Sequence, residues 1–410
     1  MTEAPPARRI DDARVLPPPK APRRLRGIYA LEDLEDRARR FLPRPIFAYA
    51  AGGTERRVSL RDNASAFDEI GLITRVLRGV AERSTETELL GRSYAQPFGI
   101  APMGMAALMG YRADTALAAA AREARIPMVI SGSSLTALEE IAATYPDVWF
   151  QAYLPGEPER ISPLLARVAR AGIRTLVVTV DLPVAGNTEH YLRAGFSSPL
   201  KPSLRLLWDG AVRPAWSVGV FLRTLAARGM PHFENSYAER GAPILARHVM
   251  RDFGRRAHLS WDHIAQIRAE WPHHLIVKGM THPADVAIAR ETGADAVWIS
   301  NHGGRQLDGV PAPIRLLPEV MAAAPRLPVI LDSGVRRGTD VLKACALGAA
   351  FVFVGRPFLY AAALGERAGV AHAIRILGTE IDRDMALLGI RRLAEIGPDR
   401  LRLPAAFTIR

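Results

Sequence analysis

Eight short apolar runs, separated by stretches of helical pattern, constrain this chain more than any other feature. They are PFGIAPM (97–103), PMVIS (127–131), WFQAYL (149–154), TLVVTVD (175–181), LIVKG (275–279), AVWISN (296–301), PVILDSG (328–334) and FVFVG (351–355). Each is short and almost continuously apolar, as a parallel strand covered on both faces is. Between them ADTALAAAAREA (113–124), SPLLARVARAG (162–172) and PADVAIARETG (283–293) carry apolar residues at helical spacing. Eight such units predict an α/β chain folded as a closed (β/α)8 TIM barrel rather than an open doubly wound sheet.

Three segments stand outside that rhythm. Residues 1–27 are rich in Pro and Arg, without periodicity, and are expected to form a mobile leader. ALEDLEDRARRF (30–41) predicts a helical N-terminal extension to a barrel domain covering 28–395, and 396–410 forms a C-terminal tail. Residues 182–258 lie between the fourth and fifth runs. A connection that long is expected to be functional, as a lid or a membrane-attachment loop.

Composition narrows the class. Of 410 residues, 49% are hydrophobic and 23% charged, which suits a globular core. The single cysteine, Cys345, rules out a disulfide framework and a cysteine zinc site. No apolar run reaches the length of a membrane span, and MTEAPPARRIDDARVLPPPK has no apolar signal core, so a cytoplasmic location is expected. The net charge is +12, yet only Lys20, Lys201, Lys278 and Lys343 are lysines. The excess is arginine scattered along the chain, with no compact nucleic-acid motif, and no nucleic-acid partner is expected. No metal-type spacing of His, Asp and Glu occurs either.

In a barrel enzyme the chemistry gathers at the C-terminal ends of the strands, and here those ends are polar. The third run carries Gln151 and Tyr153, the fourth ends in Thr179 and Asp181, and the fifth ends in Lys278. The sixth ends in Ser300-Asn301-His302-Gly303-Gly304-Arg305, the seventh in Asp332-Ser333-Gly334-Val335-Arg336 and the eighth in Gly355-Arg356. Glycine turns with arginines after two adjacent strands make an anion nest suited to phosphate. Lys278 fits a buried cation serving a cofactor, or a Schiff-base former, against the plainer case of a surface lysine. His302 is placed to take a proton, with Arg305 three residues on able to fork onto a carboxylate.

SNHGGRQLDGVPAP, LIVKG, DSGVRRGTD and ALGAAFVFVGRP together resemble the FMN-dependent 2-hydroxy acid oxidases and dehydrogenases, the family of glycolate oxidase, L-lactate dehydrogenase and (S)-mandelate dehydrogenase. The similarity runs from about residue 30 to 395 and is nearest to the mandelate and lactate dehydrogenase branch. It implies FMN as cofactor, a small 2-hydroxy acid oxidised to the 2-oxo acid, an electron acceptor (a quinone, an electron-transfer protein or O2) and a homotetramer. It implies His302 as the base, Asp181 as the partner of its imidazolium, Lys278 as the catalytic cation that stabilises the reduced flavin, Tyr153 near the substrate hydroxyl, and Tyr49 and Arg305 on the carboxylate. For FMN it implies Ala101, Pro102, Met103 and Gly104 beside the ring, with Ser131, Gln151, Thr179, Lys278 and Ser300 as polar contacts. Asp332, Gly334, Arg336, Gly355 and Arg356 then hold the ribityl chain and phosphate.

Departures from the family pattern bear on substrate. Thr188 stands where the family usually has a second carboxylate-binding arginine, and Arg193 is the nearby candidate to replace it. Without a replacement, an amine, alcohol or derivative lacking a free carboxylate is the alternative substrate. Ser133 replaces a tryptophan of glycolate oxidase, Met103 replaces a threonine, and Gly104 stands where the oxidases tend to have alanine, which leans towards a dehydrogenase. The segment 200–233 is basic with interleaved Leu, Trp and Phe. It suits a peripheral membrane contact, matching the anchoring region of mandelate dehydrogenase, or equally a lid or tetramer contact.

Overall fold

A computed structural model of the chain describes residues 22–155, 157–246 and 256–404. Most of the expected leader (1–21), part of the long connection (247–255) and the last six residues lie outside the described residues.

All eight runs form strands: β1 (Phe98–Ile100), β2 (Val129–Ser131), β3 (Trp149–Ala152), β4 (Thr175–Thr179), β5 (His274–Met280), β6 (Ala296–Ile299), β7 (Val329–Leu331) and β8 (Phe351–Val354). They pair in parallel in the order β1-β8-β7-β6-β5-β4-β3-β2. A parallel bridge between Ile100 and Met128, with the Ile100 amide on the Pro127 carbonyl at 2.9 Å, brings the two ends together into a nearly closed barrel. The outer ring is α1 (Ala113–Glu123), α2 (Leu138–Thr144), α3 (Ile161–Arg170), α4 (Trp261–Glu270), α5 (Pro283–Glu291), α6 (Pro313–Ala323), α7 (Gly338–Ala346) and α8 (Arg356–Leu388). In α3, Ile161, Leu164, Leu165 and Val168 recur at helical spacing and are buried, while Arg167 and Arg170 close the last turn. Each such side chain contributes about 1.5–3 kcal/mol of burial, which fixes the helix's face.

The strands alternate strictly. Phe150, Leu176, Val178, Leu275, Val277, Val297, Ile299 and Val352 pack outward with the helices. Val129, Trp149, Val177, Ile276, Trp298, Ile330, Phe351 and Phe353 form a separate interior cluster. A hairpin, Thr87–Leu89 against Arg92–Tyr94, sends Leu89 and Tyr94 into that cluster and plugs the N-terminal end of the barrel. Residues on the inward parity therefore run from an apolar plug to the opposite mouth, where Ser133, Gln151, Tyr153, Thr179, Asp181, Lys278 and His302 continue the same alternation.

The domain reaches past its expected edges. Leu25, inside the expected leader, is fully buried, and a Cβ on Gly365 of α8 would meet it at 2.9 Å. At the other end Leu401–Arg402 pairs antiparallel with Gly71–Leu72, so the tail is tied down as far as it is described. The connection after β4 contains the helices Glu189–Ala194, Leu204–Ala211, Pro214–Trp216 and Arg223–Arg228 and a π-helical turn at Ser217–Leu222. It is anchored by buried Phe196, Trp216, Val220, Phe233 and Ile244.

Candidate active site

A cavity of about 420 Å³ opens at the C-terminal ends of the strands. Tyr49, Ala101, Pro102, Met103, Gly104, Gln151, Tyr153, Thr179, Lys278, His302, Arg305, Asp332, Gly334, Arg336, Gly355 and Arg356 all reach its wall. Three expected site residues stand behind the wall instead. Ser131 contacts the Gln151 side chain at 3.4 Å and accepts from the Ser133 amide; Ser300 accepts from Lys278 Nζ at 2.7 Å and from the His302 amide at 3.0 Å. Asp181 lies behind His302.

His302 is held at both ring nitrogens. Nδ1 meets Asp181 Oδ1 at 2.9 Å and Oδ2 at 3.1 Å, while Nε2 meets the Tyr153 hydroxyl at 3.3 Å. A carboxylate on Nδ1 keeps the proton there and leaves Nε2 as the acceptor facing the cavity. Burial alone pushes the Asp181 carboxyl up, but the charge and hydrogen bond of His302 and the charge of Lys278 outweigh it and hold it below its ordinary value. The turn that presents His302 needs unusual backbone. His302, Gly303 and Gly304 have φ of +57°, +67° and +71°. A Cβ on Gly304 would lie 2.7 Å from the Leu60 amide nitrogen, so the turn packs directly against the helix Val58–Asp68.

The opposite end of the cavity is cationic and glycine-lined. Gly334 has φ +95°, and a Cβ there would fall 1.8 Å from the Asn63 carbonyl oxygen. Arg356 donates to the carbonyls of Ala50 (3.1 Å), Gly52 (2.8 Å) and Gly303 (2.8 Å). Burial, with the charges of Arg305 and Arg336, pushes its guanidinium down to about 10. Between the two ends Lys278 Nζ is buried, 3.0 Å from Asp332 Oδ2.

Arg305 Nη1 donates to the Tyr49 carbonyl at 2.6 Å and approaches those of Ala50 and Gly52 at 3.4 and 3.5 Å. Its guanidinium lies 4.8 Å from the Tyr49 ring. Arg193 is not brought into the cavity: it is exposed on the helix Glu189–Ala194. Thr188 and Ser133 do line it. A Cβ on Gly104 would sit 2.8 Å from Ser133 Cβ and 2.9 Å from the Tyr49 hydroxyl, so that glycine is required by close approach.

Several wall and support residues escaped the sequence reading. Tyr191 and Phe196, from EHYLRAGF, add an aromatic side to the cavity, with Phe196 stacked on Tyr49 at 5.0 Å. Their signal was the aromatic spacing directly after β4. Arg256 donates to the Leu154 carbonyl at 2.8 Å and lies 5.2 Å from the Tyr153 ring. Asn63 and Asn301 exchange side-chain hydrogen bonds at 2.9 and 2.7 Å, and Asn301 Oδ1 accepts from the Gly304 amide. No local signal marks Asn63, whose partner is 238 residues away.

Comparison with known proteins identifies the family. The pattern of the FMN-dependent dehydrogenase family matches residues 38–403. An L-lactate dehydrogenase of Stenotrophomonas maltophilia (strain R551-3) is 37% identical over 381 residues, covering 91% of this chain and 98% of its own. An (S)-mandelate dehydrogenase of Pseudomonas putida is 33% identical over 377 residues, covering 92% and 94%. A solved structure of the monotopic membrane protein (S)-mandelate dehydrogenase superposes with a TM-score of 0.84 at 32% identity, covering 92% of this chain and 100% of that one. The chain belongs to the FMN-dependent dehydrogenase family and is an FMN-dependent oxidoreductase acting on 2-hydroxy acids.

Proposed function

We propose that this site oxidises an L-2-hydroxy acid of the lactate or mandelate type to the 2-oxo acid, with His302 as the base. The observation that carries the reading is His302 itself: Nδ1 fixed by Asp181, Nε2 in the cavity beside the Tyr153 hydroxyl, and Arg305 three residues further on.

The residues present fit FMN. Gln151 Nε2 and Thr179 Oγ1 are buried without a partner among the described residues, as polar atoms awaiting a flat heteroaromatic ring would be. The Gly334 and Gly355 turns, with Arg336 and Arg356, form a cradle for an anionic tail. Gln151, Thr179, Lys278 and the 101–104 backbone would hold the ring, with Ser131 and Ser300 bracing Gln151 and Lys278 from behind. Asp332, Gly334, Arg336, Gly355 and Arg356 would hold the chain and phosphate. When bound, FMN supplies a two-electron acceptor.

Arg305 and Tyr49 hold the acid end of the substrate, and Tyr153 meets its hydroxyl. His302 Nε2 takes the departing proton, and the carboxylate of Asp181 stabilises the imidazolium that results. His302→Ala should retain FMN and lose about 10²–10⁴-fold in turnover. Anaerobic bleaching of the flavin by substrate measures this, and unchanged bleaching would refute the role.

Electrons then pass to a quinone or an electron-transfer protein. Anaerobic turnover with a quinone analogue that exceeds oxygen uptake supports a dehydrogenase. We infer a peripheral membrane contact through 200–233. Leu204, Leu207, Trp208, Val218 and Leu222 are all more than half exposed, and Arg205, Arg213 and Arg223 flank them. Apolar side chains rimmed by arginine suit an anionic lipid interface, and the similar mandelate dehydrogenase is monotopic. Among the described residues no helix is long and apolar enough to cross a membrane. The assembly that accompanies this reading is a homotetramer, which light scattering checks.

A further inference from the structure

We propose that Asn63, on a helix outside the barrel, is a positioning residue for His302: it ties the turn that carries this histidine to the glycine turn at the opposite end of the cavity. The inference rests on the reading of His302 as the base and adds to it a residue that stands behind the cavity wall.

Asn63 is 2% exposed in the middle of the helix Val58–Asp68. A short amide is a poor helix former, and burying one is costly unless its hydrogen bonds are met. Here they are met by Asn301, the neighbour of His302. Asn63 Nδ2 donates to Asn301 Oδ1 at 2.9 Å, and Asn301 Nδ2 donates to Asn63 Oδ1 at 2.7 Å. Main-chain groups fix which way round these amides lie. The Gly304 N–H donates to Asn301 Oδ1 at 3.2 Å, and Asn301 Nδ2 donates to the Pro311 carbonyl at 3.3 Å. Turning the Asn301 amide over would set donor on donor and oxygen on oxygen, and Asn63 must complement the orientation that remains.

The same residue meets the other end of the site through its backbone. A Cβ on Gly334 would fall 1.8 Å from the Asn63 carbonyl oxygen and 3.1 Å from Phe67 Cε2, so the helix bears directly on the cradle turn. The two turns are also joined to each other. The Gly303 N–H donates to Ser333 Oγ at 3.1 Å, and Ser333 Oγ donates to Asp332 Oδ1 at 2.8 Å.

His302 needs such bracing. A non-glycine residue at φ +57° is strained and persists where its surroundings over-determine it. Elsewhere on the helix, Ser59 Oγ donates to the Val310 carbonyl at 2.8 Å and Asp62 Oδ2 accepts from the Ala312 amide at 2.7 Å. Those bonds hold the chain well beyond His302. Asn63 holds the residue beside it, and through that residue sets where Nε2 points.

The test separates alignment from folding. Asn63→Ala keeps the helix and the carbonyl that faces Gly334, and removes the side-chain link alone. FMN affinity, from fluorescence titration of the stripped protein, should stay within about threefold of the wild type. At saturating substrate the anaerobic rate of flavin reduction should fall about tenfold or more, with the substrate dissociation constant within about threefold. In a His302→Ala background there is no imidazole to align, and the same substitution should cost less than about twofold. Asn63→Ser carries the same expectations and is the easier variant to fold, since a helical serine can bond to the carbonyl one turn back. A full reduction rate per bound flavin in both variants, an equal loss with and without His302, or an effect confined to FMN affinity would overturn the inference. Wild-type bleaching by His302→Ala alone would strike the parent reading, and this inference with it.

Discussion

The two sides of the cavity are built on opposite plans. The barrel rim holds its polar groups by main-chain geometry: three consecutive left-handed residues at 302–304, a glycine at 334 that no side chain can replace, and carbonyls that fix Arg305 and Arg356. The connection after β4 contributes Leu182, Tyr191, Leu192, Phe196 and a neutral Thr188. Leu192 is also 76% exposed, on the outer surface of the same segment. On the function proposed above, the rim serves every substrate of this chemistry and the connection selects among them, so that specificity could change without disturbing His302.

The largest expected effect breaks the rim. Gly334→Val places side-chain atoms on the Asn63 carbonyl, and the purified protein should lose essentially all its FMN absorbance. A yellow, fully loaded variant would show that the cradle is more yielding than its backbone suggests. The counterpart on the other side leaves the rim alone. Leu207→Glu with Trp208→Glu should lower partitioning onto anionic vesicles by about tenfold or more, while turnover with a soluble acceptor stays at the wild-type rate. Equal vesicle binding by variant and parent would reassign the stripe to a protein contact.

The smallest effect compares two buried carboxylates. Asp181 is held low by His302 and Lys278, so its contribution to stability is present above the ordinary carboxylate range and is lost only as pH falls through its lowered value. Asp114 accepts from Ser134 at 2.8 Å and Thr136 at 3.2 Å, yet burial raises it to about 6. There the folded chain holds a proton that the unfolded chain releases, so stability falls as pH rises from about 4 to about 6. Asp114→Asn should therefore gain on the wild type across that window, by about 1–3 kcal/mol at pH 7. Chemical denaturation at pH 4 and pH 7 measures it; a constant difference would mean the hydroxyls satisfy the charge.

Much of this was legible in the sequence, for a physical reason. Strands buried on both faces are apolar throughout, so TLVVT and AVWI announce themselves as strands but conceal which residues point inward. Once the parity is known, Tyr153, Asp181 and His302 fall on one face together. What stayed hidden depends on contacts distant in sequence. The Asn63–Asn301 pair joins an N-terminal helix to the β6 turn. Ser131 and Ser300 stand behind the wall because Gln151 and Lys278 project past them. Arg193, close to Thr188 in sequence, is carried outward by the phase of a six-residue helix.

The Leu89–Tyr94 hairpin stoppers the barrel at the foot of its strands. The cavity at their other end lies under the segment that follows β4, so a change in that segment alters access as well as fit.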